Sequence, residues 1–351
     1  MEGGRAKPAV AVRNAGRTAR HTLQQLFWEC TLRCNLSCIH CGSDCRVSSV
    51  APDMPFEDFE PVLDGIAKRY DASRITIVTT GGEPLVRHDI VECGRKISQK
   101  GFIWGTVSNG MLIDDRKLRE LKDAGLRTIA ISLDGFEQDH NWMRGNAMSF
   151  SHAVRAIKAL AASRGVVWDV ITCVNNRTIG YLEELKHFLL SIGVKKWRLF
   201  TVAPMGRAVQ HEDLFLAPAQ FRQLLDFIVK VKAENTLRID YSCEGYLGAY
   251  EGRVRTHPFF CQAGINVASI LSDGSISGCL SIRSEYNEGN IYQGDNFVDV
   301  WENGFQRYRD HGWMKTGACE GCEAWDLCLG GAFHLRDKAG ELLRCSYDEL
   351  K

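Results

Sequence analysis

The sequence predicts an α/β protein, a partial (β/α)6 barrel followed by a smaller cysteine-rich part, and three observations carry that expectation. Apolar, β-branched runs alternate strictly with amphipathic ones between residues 23 and 234, the alternation stops near residue 236, and the 14 cysteines crowd towards the two ends of the chain. Strict alternation demands parallel strands joined by right-handed crossovers. Six units rather than eight leave the barrel incomplete. A chain of 351 residues has room for both parts.

The period-two runs place strands at 23–29, 74–80, 102–107, 128–133, 167–174 and 197–202. Helical periodicity follows at 56–70, 90–100, 115–124, 150–163, 181–191 and 218–233. Asp114 is placed to cap the third helix, and Pro218 fits the first turn of the sixth. Beyond 235 the pattern predicts a hairpin at 265–277 around Asp273-Gly274, then a helix at 298–308. The expected division is a flexible basic arm at 1–20, a barrel at 21–235 and the cysteine-rich region at 236–351.

Lysine plus arginine and aspartate plus glutamate both total 43, so the formal net charge is +0 and nothing chain-wide favours nucleic acid or an anionic membrane as partner. The one local bias is Arg5, Lys7, Arg13, Arg17 and Arg20 in the first twenty residues, read as a solvated arm. No apolar run has the length of a membrane helix or a secretory signal, so a cytoplasmic protein is expected. A reducing compartment turns the cysteines towards metal or redox chemistry rather than disulfides. Cys93 and Cys173, in apolar helix and strand contexts, read as inert core thiols, and so does Cys30.

Cys34-Asn-Leu-Ser-Cys38-Ile-His-Cys41 follows the first strand directly. Three thiolates at this spacing can ligate three irons of a cubane and leave the fourth open to a substrate or cofactor. Zinc is the competing reading, but zinc ribbons pair C-x2-C knuckles, and the run here is C-x3-C-x2-C.

Three more motifs lie at the ends of the next three strands: Gly81-Gly82-Glu83-Pro84, Ser108-Asn109-Gly110, and Ser132-Leu133-Asp134-Gly135 followed by Met143-Arg144-Gly145. With the cysteine run, this series resembles the radical S-adenosylmethionine (SAM) superfamily, whose fold is a partial TIM barrel. The resemblance implies that Gly81, Gly82, Glu83 and Pro84 engage the methionine amino group, that Ser108, Asn109, Ser132 and Asp134 line the cofactor site near the ribose, and that Arg144 takes the methionine carboxylate. His40 has a flat ring to lay beside the adenine. The implied chemistry is reductive cleavage of SAM by one [4Fe-4S] cluster, giving a 5′-deoxyadenosyl radical that abstracts hydrogen. An electron donor such as a reductase, flavodoxin or ferredoxin is implied with it.

The C-terminal cysteines resemble the SPASM extension of peptide-modifying radical SAM enzymes, which carries two auxiliary [4Fe-4S] clusters. Cys261, Gly274 and Cys279 fit its first part, and Cys319, Cys322, Cys328 and Cys345 its second. One ligand is missing, because the step after Cys328 lands on Ala332. Cys243 is the expected third ligand of the first auxiliary cluster, with the remaining position either open or capped by His334.

The leading functional expectation is post-translational modification of a peptide or protein side chain. The segments from Cys30 to Cys45 and from Cys328 to Ala332 also resemble a SPASM subgroup found in lipoprotein gene neighbourhoods, which makes a lipoprotein precursor one substrate to consider. Formylglycine formation is disfavoured, since Leu280 stands where sulfatase-maturing enzymes carry an acid after the cysteine. The alternatives are dehydrogenation of a small alcohol or sugar, and a non-catalytic iron–sulfur electron carrier. Asp44 and Cys45 are the catalytic candidates beside the reactive loop, and Tyr246, Glu285 and His334 are further acid–base candidates.

Overall fold

The computed structural model describes residues 14–46, 49, 51–242, 244–282 and 286–351. Each β-branched run becomes a strand: β1 (Gln25–Thr31), β2 (Thr76–Gly81), β3 (Ile103–Ser108), β4 (Leu126–Ser132), β5 (Val167–Val174) and β6 (Lys196–Thr201). The helices are α1 (Phe56–Arg69), α2 (Ile90–Gln99), α3 (Asp115–Asp123), α4 (Glu137–Arg144), α5 (Ser149–Ala162), α6 (Leu182–Ser191) and α7 (Pro218–Glu234). Asp114 caps α3 by accepting from the Lys117 amide at 2.7 Å. The strands β1 to β6 pair in parallel in sequence order, as right-handed β-α-β units require.

Two features extend the expected six units. A seventh parallel strand, β7 (Arg238–Tyr241), pairs with β6; its four residues are too few to show a period. The expected hairpin forms as β8 (Val267–Ile270) and β9 (Ser275–Ser277), but β8 lies parallel to β1, pairing Gln25 with Val267 through Trp28 with Ile270. With β10 (Gly289–Asn290) the result is one sheet in the order β10-β9-β8-β1-β2-β3-β4-β5-β6-β7. The cysteine-rich region therefore covers the β1 edge that an incomplete barrel would leave bare.

The expected helix at 298–308 is two pieces, α8 (Phe297–Asn303) and a turn at Gln306–Arg309, broken at Gly304 and at Phe305, whose φ is 62°. The basic arm is less open than expected: residues 14–20 are helical, and Arg17 stacks over the Phe260 ring at 4.9 Å.

Three indoles anchor the layer between sheet and helices. Trp28, Trp104 and Trp197 are fully buried, and each ring nitrogen finds an acceptor, on Met54 Sδ, Thr79 Oγ1 and Thr172 Oγ1 respectively. Trp28 also stacks on Phe59 of α1 with ring centroids 4.6 Å apart. Gly94 of α2 sits directly against Trp104, where an added Cβ would lie 2.2 Å from the ring. Ordinarily Gly→Ala in a helix gains up to ~1 kcal/mol, but overpacking a rigid indole costs about 1–3 kcal/mol. G94A is therefore expected to lower the midpoint of thermal or urea denaturation, and a raised midpoint would contradict this packing.

Candidate active site

The motifs singled out in the barrel part of the sequence converge at the carboxyl ends of the strands, where such sheets bind ligands. They surround one chamber of about 590 Å³, lined by Cys34, Cys38, Cys41, Gly81 to Glu83, Ser108, Asn109, Ser132 and Arg144, and from the C-terminal region by Leu280, Ser281, Phe333 and His334.

The cysteine loop after β1 has almost no secondary structure, so its shape comes from hydrogen bonds to its neighbours. Ile39 N donates to Met143 O at the end of α4, and Cys34 N donates to Arg46 O across the base of the loop. The heaviest clamp comes from Arg207, beyond β6. Its amide donates to Cys41 O at 3.0 Å, its Nε to Cys38 O at 2.7 Å, and its Nη1 to both Cys45 O and Asp44 Oδ1. Gly206 permits this approach, with φ 56° and a virtual Cβ 2.3 Å from Cys41 O.

Burial pushes the Cys34 thiol up to about 12 and raises Cys38, while the Cys45 thiol, the loop amides and Arg207 pull Cys41 down to about 5. Two buried polar atoms beside the loop, Arg207 Nη2 and His40 Nδ1, have no hydrogen-bond partner among the described residues. Three thiols around one chamber, with unpartnered polar atoms beside them, fit an anionic iron–sulfur cluster bound to Cys34, Cys38 and Cys41.

At the end of β2, Gly81 and Gly82 pass directly under the segment that follows β1; a Cβ on either would lie 2.0 Å from a carbonyl oxygen, of Thr31 and Arg33 respectively. That crossing delivers Glu83 to the chamber wall. Its carboxylate accepts from Asn109 N at 2.7 Å and Ser108 Oγ at 2.9 Å, and burial, only partly offset by these donors, lifts it to about 7. A buried, hydrogen-bonded carboxylate with no ion pair among the described residues suits a ligand ammonium. Asn109 also donates to Asn35 Oδ1 at 2.7 Å, tying β3 to the cysteine loop.

Several expectations shift in position. Asp134 does not face the chamber: it is wholly buried behind the wall, accepting from Arg144 Nε at 2.6 Å and Cys173 N at 3.0 Å. Burial opposes its charge, but the Arg144 guanidinium holds the carboxyl well below the usual range. Asp134 thus orients Arg144, whose Nη1 lies 3.7 Å from Cys38 Sγ. Pro84 likewise lies off the wall, opening the turn at Pro84–Val86. Asp44 is exposed and engaged by Arg46 and Arg207, so it braces the loop rather than facing the chamber, whereas Cys45 does line it. Cys173, expected as inert core, also reaches the chamber wall.

The histidine behind this pair has a defined tautomer. His140 Nδ1 accepts from the Asp134 amide and burial keeps the ring neutral, so its proton sits on Nε2, which donates to Ser149 Oγ at 3.0 Å.

In the C-terminal region Cys319, Cys322, Cys328 and Cys345 surround a second, smaller cavity. Leu329, Gly330 and Gly331 all have positive φ, which curls the chain back around it. Ala332 is packed with Phe259 and Leu335 against Cys261, so the missing cysteine would have stood beside an expected ligand. Cys243 and Glu285 lie outside the described residues. His334 opens on the main chamber; burial alone lowers it to about 4, and it has no hydrogen-bond partner among the described residues.

Comparison with known proteins fits this geometry. The radical SAM superfamily pattern matches residues 28–189, and an iron-sulfur cluster-binding domain of the SPASM type matches residues 261–323. The chain therefore carries a radical SAM domain followed by a SPASM domain, with SAM and iron–sulfur clusters as cofactors. The chain is 24% identical over 325 residues to the AdoMet-dependent heme synthase of Methanosarcina barkeri, covering 87% of this chain and 90% of that protein. It is 29% identical over 315 residues to the mycofactocin maturase MftC of Mycobacterium ulcerans, covering 87% and 82%. SuiB of Streptococcus suis, solved with S-adenosylmethionine, shares the fold with a TM-score of 0.70 at 15% identity, covering 92% and 77%. Among the described residues no helix is long and apolar enough to cross a membrane.

Sequence reasoning missed Arg207 and α4 as site elements. The Met205-Gly206-Arg207 turn after β6 was the available signal. Replacing Arg207 by alanine removes three side-chain hydrogen bonds to the loop, each worth about 0.5–1.5 kcal/mol net. Reconstituted R207A is expected to bind less iron and lose it faster in air than wild type, by iron and sulfide analysis; equal retention would show that the loop holds its shape without the clamp.

Proposed function

We propose that this protein abstracts hydrogen from a side chain of a peptide or protein substrate and so modifies it after translation. The observation that carries the reading is the size and composition of the shared chamber. About 590 Å³ suits one medium-sized ligand. Because the same chamber must also hold SAM against the strand-end motifs, a side chain reaching in beneath Leu280, Phe333 and His334 asks for less room than a whole tetrapyrrole. The apolar wall of Ile171, Phe200, Val202, Leu280 and Ile282 would exclude water from the reacting bond. The likeness to MftC, named as a maturase, agrees.

In this reading the bound cofactors supply the reductive cleavage and the hydrogen-abstracting radical. The chain's own residues do the positioning. Glu83 holds the amino group of SAM, Arg144, oriented by Asp134, holds its carboxylate, and His40 lies beside the adenine. Cys34, Cys38 and Cys41 hold the reactive cluster. Cys319, Cys322, Cys328 and Cys345 hold one auxiliary cluster, and Cys261, Cys279 and Cys243 contribute to a second. A ferredoxin- or flavodoxin-type donor and a cytoplasmic site of action follow from the same reading.

A second reading, an iron-porphyrin substrate, is favoured by the heme synthases among the relatives and by Arg207 and Lys338 on the chamber wall. Anaerobic protein with SAM and dithionite separates the two. A peptide encoded beside the gene is expected to stimulate 5′-deoxyadenosine release and to change mass, with deuterium passing from labelled peptide into the nucleoside. Stimulation by Fe-coproporphyrin and by none of the neighbouring peptides would defeat the peptide reading.

The Glu83 assignment has its own pH signature. Only the ionised carboxylate attracts an ammonium, and burial in the protein holds this group at about 7. SAM affinity is therefore expected to be level above about pH 7 and to weaken below it by up to about tenfold per unit. In E83Q the affinity should be lower and flat with pH over that range by equilibrium binding; a wild-type affinity independent of pH would exclude the pairing.

A further inference from the structure

Among the buried arginines, Arg336 is exceptional in its partners. The other two among the described residues, Arg87 and Arg144, pair with the carboxylates of Asp89 and Asp134, and the half-buried Arg255 and Arg344 pair with those of Glu251 and Glu349. Arg336 is 6% exposed and forms no ion pair among the described residues. Its Nε and Nη2 donate to Gly330 O, its Nη1 to Gly340 O at 2.6 Å and its Nη2 weakly to Met314 O, while Nη2 also lies 3.5 Å from Cys319 Sγ. The neighbouring Asp337 carboxylate is turned away, accepting from the amides of Ala339 and Glu341.

Carbonyl dipoles satisfy the N–H groups but do not neutralise a charge, and a buried charge without a counter-ion is strongly disfavoured. Among the described residues, the group in contact with Arg336 that becomes anionic on metal binding is Cys319, which shares the small cavity with Cys322, Cys328, Cys345 and Gly330. We propose that Arg336 is the counter-charge of an iron–sulfur cluster held by these four cysteines and that it sets the cluster's reduction potential; the inference rests on reading the four as cluster ligands. A cubane with four thiolates is anionic, and gains one more negative charge on reduction. A fixed guanidinium hydrogen-bonded to a ligand sulfur stabilises the reduced form more than the oxidised form and so raises the potential.

The test is a dithionite titration of anaerobically reconstituted wild type, Arg336→Gln and Arg336→Lys, followed by electron paramagnetic resonance, with iron and sulfide counted for each. At the wild-type midpoint of one cluster, the reduced-to-oxidised ratio is expected to fall at least tenfold in R336Q, a shift of about 59 mV for one electron. R336K, which keeps the charge, should stay near the wild-type midpoint, and the other midpoints should not move. If R336Q fails to hold the cluster, the charge role requires R336K to keep both its iron and its midpoint. Unchanged midpoints in R336Q, or equal shifts or equal iron loss in both variants, overturn the proposal. A wild-type chain holding iron and sulfide for a single cubane instead removes the cluster assignment beneath it, which the metal count distinguishes from a failure of Arg336.

Discussion

The structure depends on holding an irregular loop with three inward-facing thiols in one shape. A segment without its own helix or strand satisfies few backbone groups internally, so its conformation must be imposed from outside. Here the imposing groups come from separate strand ends: the Gly81-Gly82 crossing beneath the loop, Asn109 on Asn35, Met143 O on Ile39, and Arg207 over Cys38, Cys41 and Cys45. The parallel order of the sheet follows from the same need. Only strands running in one direction bring all these termini to one rim.

The electrostatics of the rim are arranged in layers. Arg144 is held by Asp134, which is itself fixed by the Cys173 amide, and the neutral His140 fills the space behind, its tautomer set by the Asp134 amide. A cation at the wall is thereby kept rigid, with a paired charge behind it. Glu83 is the opposite case: a buried carboxylate with hydrogen-bond donors but no ion pair among the described residues, its pKa raised to about 7. The contrast distinguishes a residue organised by the protein from one left open to a ligand.

Much of this was legible in the sequence, for reasons that differ from one element to another. Strands β1 to β6 lie within two residues of their expected positions because buried parallel strands need unbroken β-branched runs. The cysteine, Gly-Gly-Glu and Arg144 motifs were legible because each is local. What escaped was non-local or short. β7 has four residues, and α4 buries only His140, Met143 and Arg144, so neither leaves a period. Arg207 meets Cys38 across 169 residues, a contact that no window contains. Asp134 was placed near the ribose by the resemblance of its motif, but a motif at a strand end does not fix which way a side chain points. Its turn inward follows from Arg144 and the Cys173 amide, both remote in sequence.

The relation between chamber and auxiliary cysteines is fixed by the fold rather than by a flexible linker. On one side β8 extends the sheet from β1, and Glu29 Oε2 accepts from Ser272 N at 3.0 Å. On the other, Glu244 accepts from Thr201 N at 2.8 Å and from Tyr241 Oη at 2.7 Å, while Arg344 donates to Thr201 Oγ1 and Ser346 to Glu244 O. Cys345 lies between Arg344 and Ser346, and Thr201 lies on the chamber wall. The second cavity is therefore bonded to the end of β6 by a buried network whose removal would leave polar groups unpaired. Such a network resists independent movement of the two parts. In the proposed reading, a substrate entering the chamber would meet the residues assigned to SAM and the C-terminal residues at a fixed separation, the condition that positioning a single carbon–hydrogen bond requires.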